Sequence, residues 1–143
     1  MPPAPSTISM LLAREWRAIP GASDAEIQRL TRTLPFSPPS GYIELLKATN
    51  GGEGELSLQP LWFNLFDVDF AIQLWDDSNY RLNYPDHFFF GSNGGLESIA
   101  MNMTEPSPWP IVAIDPVAGL ESSTTIATSF EEFLEQVGVR SPE

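Results

Sequence analysis

Apolar residues recur at helical spacing through much of the first half of this 143-residue chain and in short β-prone runs through most of the second. In SDAEIQRLTRTL, Ile27, Leu30 and Leu34 fall at helical intervals, and Ser23 or Asp24 can cap the first turn. Pro35, Pro38 and Pro39 end that helix. SGYIELLKATN predicts a second one, with Tyr42, Leu45, Leu46 and Thr49 on one face and the prolines leading in. Asn50 and Gly51 then stand where a helix commonly closes in a left-handed residue. LSLQPLWFNLF reads as one or two short strands interrupted at Pro60. A third helix, opened by Asp67 or Asp69, is expected to run through FAIQLWDDSNY. Its inner face would be Phe70, Ala71, Leu74 and Trp75, with Asp76 and Asp77 toward solvent.

The second half predicts sheet. DHFFFGSNGGLESIAMNM has the form of a hairpin: a β-prone run, a Ser-Asn-Gly-Gly turn and a returning strand. WPIVAID and STTIAT are two further strands. Ser129 caps a last helix, FEEFLEQV, in which Phe130, Phe133, Leu134 and Val137 form an apolar stripe and Glu132 falls three residues after the cap. Strands that mostly follow one another, with helices near both ends, predict an α+β fold: a single domain with an antiparallel sheet and helices packed against it. Residues 1–22 are expected to be an N-terminal extension with a short helix, and 23–143 the domain proper. There is no internal repeat.

Charge changes this picture more than length does. The net charge is −12, and it is unevenly spread. Arg14, Arg17, Arg29 and Arg32 face only Glu15, Asp24 and Glu26 in the first forty residues; between Ala48 and Val139 the one basic residue is Arg81, against fourteen acids. Such a surface repels nucleic acid and anionic membranes, whose phosphates need Lys or Arg, and attracts cationic partners. Acidity also serves solubility. Cysteine is absent, so no disulfide framework or thiol chemistry is available. No apolar run approaches the roughly 20 residues of a membrane span. The start, MPPAPSTISMLLAREW, lacks a basic leader, and Arg14 and Glu15 interrupt its apolar stretch, unlike a signal peptide. A cytoplasmic location is expected.

Asn-Gly-Gly occurs twice, at 50–52 and 93–95, each time with an acid close behind. Neither copy carries the Lys-Ser or Lys-Thr of a phosphate-binding loop. Gly51, Gly52 and Gly54 follow a helix and precede a strand, the reverse of a dinucleotide fingerprint. Glu53 and Glu55 are too few oxygens for calcium. Both loops are therefore expected to be turns. His87 is the only histidine, which excludes a multi-histidine zinc site and reads as a surface or satisfied side chain. Asp67/Asp69 and Asp76/Asp77 could pair as acid and base but also suit helix caps and exposed faces. No catalysis, no cofactor and no metal are expected. Trp109, between Pro108 and Pro110, suits a partly exposed anchor.

The helix and turn YIELLKATNGGEGEL resembles the hallmark of the SUKH superfamily, the Smi-Knr-like proteins. FFFGSNGGLESIAMN, PIVAID and IATSFEEFLEQV are similar to that family's later blocks, in the right order, over roughly residues 24–138. The family's Leu-Pro pair before the second helix is displaced here, since Leu34-Pro35 is followed by FSPPSG; the first twenty residues match nothing. The resemblance implies a non-catalytic binding protein. Its bacterial members are mostly immunity proteins that neutralise a cognate polymorphic toxin, often a nuclease, and its fungal members act as adaptors in cell-wall signalling. It also implies that Gly51, Gly52, Gly91, Gly94 and Gly95 shape the backbone, and that Tyr42, Phe90, Phe130 and Phe133 belong to the core. The expected partner is a cationic toxin domain, neither nucleic acid nor membrane, met by a monomer or weak homodimer. The alternative is an adaptor or scaffold module with an endogenous signalling partner. Candidate partner-binding residues are Glu53 and Glu55 on the loop after the second helix, Asp76 and Asp77 on the third helix, Asp86 and Glu97 flanking the hairpin, and Trp109.

Overall fold

In the computed structural model, which describes residues 14–139, seven strands pair strictly in chain order and always antiparallel. They are β1 (Trp16–Arg17), β2 (Glu53–Glu55), β3 (Trp62–Leu65), β4 (His87–Ser92), β5 (Ser98–Asn102), β6 (Ile111–Ile114) and β7 (Thr124–Ala127). Five helices accompany them: α1 (Asp24–Thr33), α2 (Ser40–Ala48), α3 (Val68–Asp76), α4 (Ser78–Asn83) and α5 (Phe130–Gln136). The expected α+β domain with an antiparallel sheet is what forms.

Local chemistry sets the helix starts. Ser23 Oγ accepts from Glu26 N at 3.1 Å while the Glu26 carboxylate accepts from Ser23 N at 3.0 Å, a reciprocal capping box. The hydrogen bond from the Ser23 backbone also holds the Glu26 carboxyl below its usual pKa. Ser129 caps α5 by accepting from Glu132 N. Gly51 and Gly52, with φ of 126° and 92°, turn the chain from α2 into β2. Asn50 is not left-handed; its side chain ties the turn to two helices, donating to Glu26 and accepting from Val68 N at 2.9 Å.

Strand alternation gives the sheet two different faces. Phe63, Leu65, Phe88, Phe90, Ile99, Met101 and Ile111 point to one side, where α1, α2 and α5 bury them in the main core. Its centre is aromatic. Tyr42 stands edge-on to Phe88, Phe90 and Phe130 at 5.6, 5.9 and 5.9 Å, and Phe63 to Phe133 at 5.0 Å. Each such pair adds about 0.5–1.5 kcal/mol beyond its buried area. The other face carries a smaller cluster, Tyr84, Phe89, Ala100, Val112 and Ile114, roofed by Tyr80 and Leu74.

The Tyr42 hydroxyl is fully buried with no hydrogen-bond partner, and burial pushes its pKa up. An unsatisfied buried hydroxyl costs about 1–3 kcal/mol. Tyr42→Phe is therefore expected to leave thermal stability equal or raised, by up to a few degrees, whereas Tyr42→Ala should cost about 3–5 kcal/mol. Calorimetry on the pair checks this, and a loss of stability in the phenylalanine variant would refute it.

Three expectations change. The third helix does not run through SNY: it stops at Asp77, whose extended backbone closes α3 while its side chain opens α4 by accepting from Asn79 N and Tyr80 N. Phe70 is not inward but 43% exposed, stacked edge-on against Phe66, because Val68 and Ala71 hold α3 to the core. Glu53 and Glu55 are not loop residues but the two ends of β2. As for the extension, residues 14–22 add β1 to the sheet and pin the far end of the chain: Arg14 Nη1 donates to the carbonyls of Leu134 and Val137 at 3.0 and 3.1 Å. The short helix expected before them lies outside the described residues.

Candidate functional site

Glu53 and Glu55 share the outer side of the sheet because Gly54, between them, faces inward opposite Phe63. A Cβ on Gly54 would lie 2.4 Å from Glu15 O and 2.8 Å from Trp16 Cε3, so the crossing of β1 excludes any side chain there. Glu53 stands opposite Arg17 on one neighbour and Asn64 on the other; Glu55 stands opposite Trp62. Beside them is a groove of about 580 Å³ whose lining includes Arg17, Ile19, Glu53, Phe66, Asp67 and Phe70. Asp67 is committed there as the α3 cap, accepting from Phe70 N at 2.8 Å.

The end of α3 and the helix α4 carry a second group. Asp76 Oδ1 lies 3.8 Å from the Arg81 guanidinium, an exposed pair of small energetic weight. Arg81 also lies 4.8 Å over the Trp75 ring and donates from Nε to Trp75 O at 2.7 Å. Tyr80 and Tyr84, four residues apart on α4 and its end, stand edge-on against Phe89 of β4. Burial raises the pKa of Tyr84, whose hydroxyl donates to Pro116 O at 2.8 Å. Asp86 follows with φ of 60°, and His87 is 7% exposed, with Nδ1 2.9 Å from Pro85 O. Trp75, Tyr80, Arg81, Tyr84, Asp86, His87 and Phe89 line a cavity of about 350 Å³.

Of the candidate acids only Asp86 lines this cavity; Asp76 reaches it through its pair with Arg81, Asp77 caps α4, and Glu53 and Glu55 lie elsewhere on the outer side. Glu97 is half-buried after the β4–β5 turn, where Asn93 Oδ1 accepts from its N–H. Trp109 is not with the acids. It packs edge-on against Phe36 at 5.4 Å on the helical side, in a hollow with Pro39, Pro108 and Phe130. The sequence reading missed Arg81, Tyr80 and Tyr84 as site residues. Their signal was the Tyr-x-x-x-Tyr spacing around the lone arginine in NYRLNYP.

Asp77 differs from the other acids in being a cap. Asp77→Ala is expected to cost about 1 kcal/mol of stability through loss of the α4 start, and Asp77→Ser should recover most of it. Thermal melts of the two variants test this; equal melting temperatures would show that the cap contributes nothing.

Among the described residues no group of three or more His, Cys, Asp or Glu side chains could hold a metal ion. Nor is any described helix long and apolar enough to cross a membrane. A model of the SMI1 / KNR4 family (SUKH-1) matches residues 21–136, from the loop before α1 to the end of α5. The chain belongs to the SMI1 / KNR4 family. A search of curated proteins found no match. Within the SMI1 / KNR4 match, Gly51, Gly52 and Gly94 have positive φ, and Gly91 packs on Phe63 where a side chain would clash. Tyr42, Phe90, Phe130 and Phe133 are buried in the main core. β1 lies outside the matched region, although it is hydrogen-bonded into the sheet.

Proposed function

We propose that this protein is a non-catalytic immunity protein that binds a cognate toxin domain and neutralises it by covering its active or substrate-binding surface. Family membership supports a binding role of this kind. The observation that carries the reading is the acidity of the outer side: Glu53, Glu55, Asp76, Asp77 and Asp86 lie along it, with Arg17 and Arg81 as the basic residues beside them among those described. A toxin that holds nucleic-acid phosphates must present Lys and Arg around its active site. An acidic inhibitor is steered onto that surface and competes with the substrate by charge. The target is therefore best read as a nuclease. The inhibitor would act in the cytoplasm as a monomer or weak homodimer, without a cofactor.

The test is co-expression and co-purification with the product of the adjacent gene. The expected result is a stable complex and restored growth of cells carrying the toxin. A complex that leaves toxicity unchanged, or binding only to an endogenous signalling protein, would favour the adaptor role instead.

A further inference from the structure

We propose that the cavity between α4 and the start of β4 is a receptor for a guanidinium group, an arginine side chain presented by the protein partner; this rests on the reading of that partner as cationic. The walls are aromatic: Trp75, Tyr80, Tyr84 and Phe89. Three polar or charged residues line it with them: His87, Asp86 and Arg81. His87 is 93% buried, and its Nδ1 lies 2.9 Å from Pro85 O. A carbonyl only accepts, so Nδ1 carries the proton, and in that tautomer Nε2 is the lone-pair acceptor. Among the described residues Nε2 has no hydrogen-bond partner, and the ring lines the cavity.

Asp86 adds a carboxylate at the rim. Its φ of 60° lies in a region that few residues other than glycine adopt, although Asp and Asn tolerate it better than most. The Trp75 indole N–H also lacks a partner, but it has no exposed surface to offer. Beside the Arg81 guanidinium, which already covers the Trp75 face, the cavity presents acceptors and the ring faces of Tyr80, Tyr84 and Phe89. That set selects a flat cation rich in N–H donors, since aromatic faces attract cations and guanidinium both stacks and donates in a fork.

Arg81 gives an internal precedent. Its guanidinium already lies on the Trp75 face at 4.8 Å, with Asp76 at 3.8 Å. Asp76, Asp77 and Asp86 outnumber this one resident cation, so the neighbourhood stays negative. The volume of about 350 Å³ is at the small end of the roughly 300–1,000 Å³ typical of ligand cavities, a size suited to one side chain.

The test titrates the full chain with N-acetyl-arginine N-methylamide and follows amide and indole NMR shifts. Saturable shifts should concentrate at Trp75, Tyr80, Tyr84, His87 and Phe89. The uncharged isostere N-acetyl-citrulline N-methylamide should bind at least about fivefold more weakly, and the lysine analogue should also be weaker. Asp86→Asn keeps a side chain suited to positive φ and removes the charge, so it should weaken arginine binding about three- to fivefold. Arg81→Gln removes the competing cation and should tighten it by a similar factor. Opposite signs in two folded variants are not produced by a general loss of structure. Equal binding of citrulline or lysine, shifts centred elsewhere, or no response to Asp86→Asn would overturn the proposal. If the adjacent gene product binds while the arginine probe does not, this pocket assignment fails and the immunity reading stands. Probe binding without toxin binding reverses that outcome.

Discussion

Gly91→Ala is expected to lower the unfolding free energy by about 3 kcal/mol, while Gly95→Ala, four residues on in the same GSNGG turn, should stay within about 0.5 kcal/mol of wild type. The difference is one of space. A Cβ at position 91 would stand 2.3 Å from Phe63 Cε1 and 2.6 Å from Asn64 O, where β4, which bulges against β5 between Phe89 and Gly91, pairs with β3. Phe63 cannot yield, because its ring is held edge-on by Phe90 and Phe133. At position 95 the nearest neighbour is Asn93 Oδ1 at 3.5 Å, an ordinary van der Waals contact. For a domain of this size the Gly91 variant should melt about 10 °C lower. Differential scanning calorimetry decides it: equal melting temperatures would mean that β3 and β4 do not approach as described.

Reversing Glu53 and Asp86 together to lysine is expected to slow association with the proposed toxin partner about tenfold at low salt and, through loss of the Asp86 contact, to raise the off-rate about three- to fivefold. These residues lie at separate places on the outer side and are not committed to caps, unlike Asp67 and Asp77. Steered association should run above the neutral range of about 10⁵–10⁶ M⁻¹s⁻¹. The advantage should vanish near 1 M salt, where the Debye length falls to about 3 Å. Trp109→Ala, on the helical side, should leave the on-rate unchanged. Stopped-flow or surface binding kinetics at two salt concentrations measure all three. An on-rate indifferent to both salt and charge reversal would leave the acidity as a solubility feature.

Much of the fold was legible because its signals are local. Ser23, Ser129 and the glycine turns act on neighbours a few residues away, and the period of apolar residues reports which face is covered. What was not legible depended on contacts distant in sequence. Nothing local says that Glu53-Gly54-Glu55 is a strand; the decisive contact is between Gly54 and Trp16, 38 residues earlier, which needs the missing side chain of Gly54. Phe70 looked inward by periodicity, but Val68, two positions before the expected start of the stripe, takes the core contact and rotates it outward. The candidate acids were visible as charges. Their grouping was not, because the break at Asp77 swings α4 onto the outer face and brings Arg81 and Tyr80 to Asp86 and His87.

Every strand in this sheet pairs only with the strand before it and the strand after it. Formation of β4, β5, β6 and β7 therefore asks for little loop-closure entropy, as each new strand finds its partner at the end of a short connection. The costly closures lie elsewhere: β1 on β2 across residues 18–52, Gly138 N reaching Glu55 O at 2.7 Å, Glu15 N reaching Gly138 O at 2.9 Å, and Arg14 reaching Leu134 and Val137. In kinetic terms the β4–β7 meander should collapse early and quickly, and the docking of β1 and β2 against the segment after α5 should set the rate of the final step.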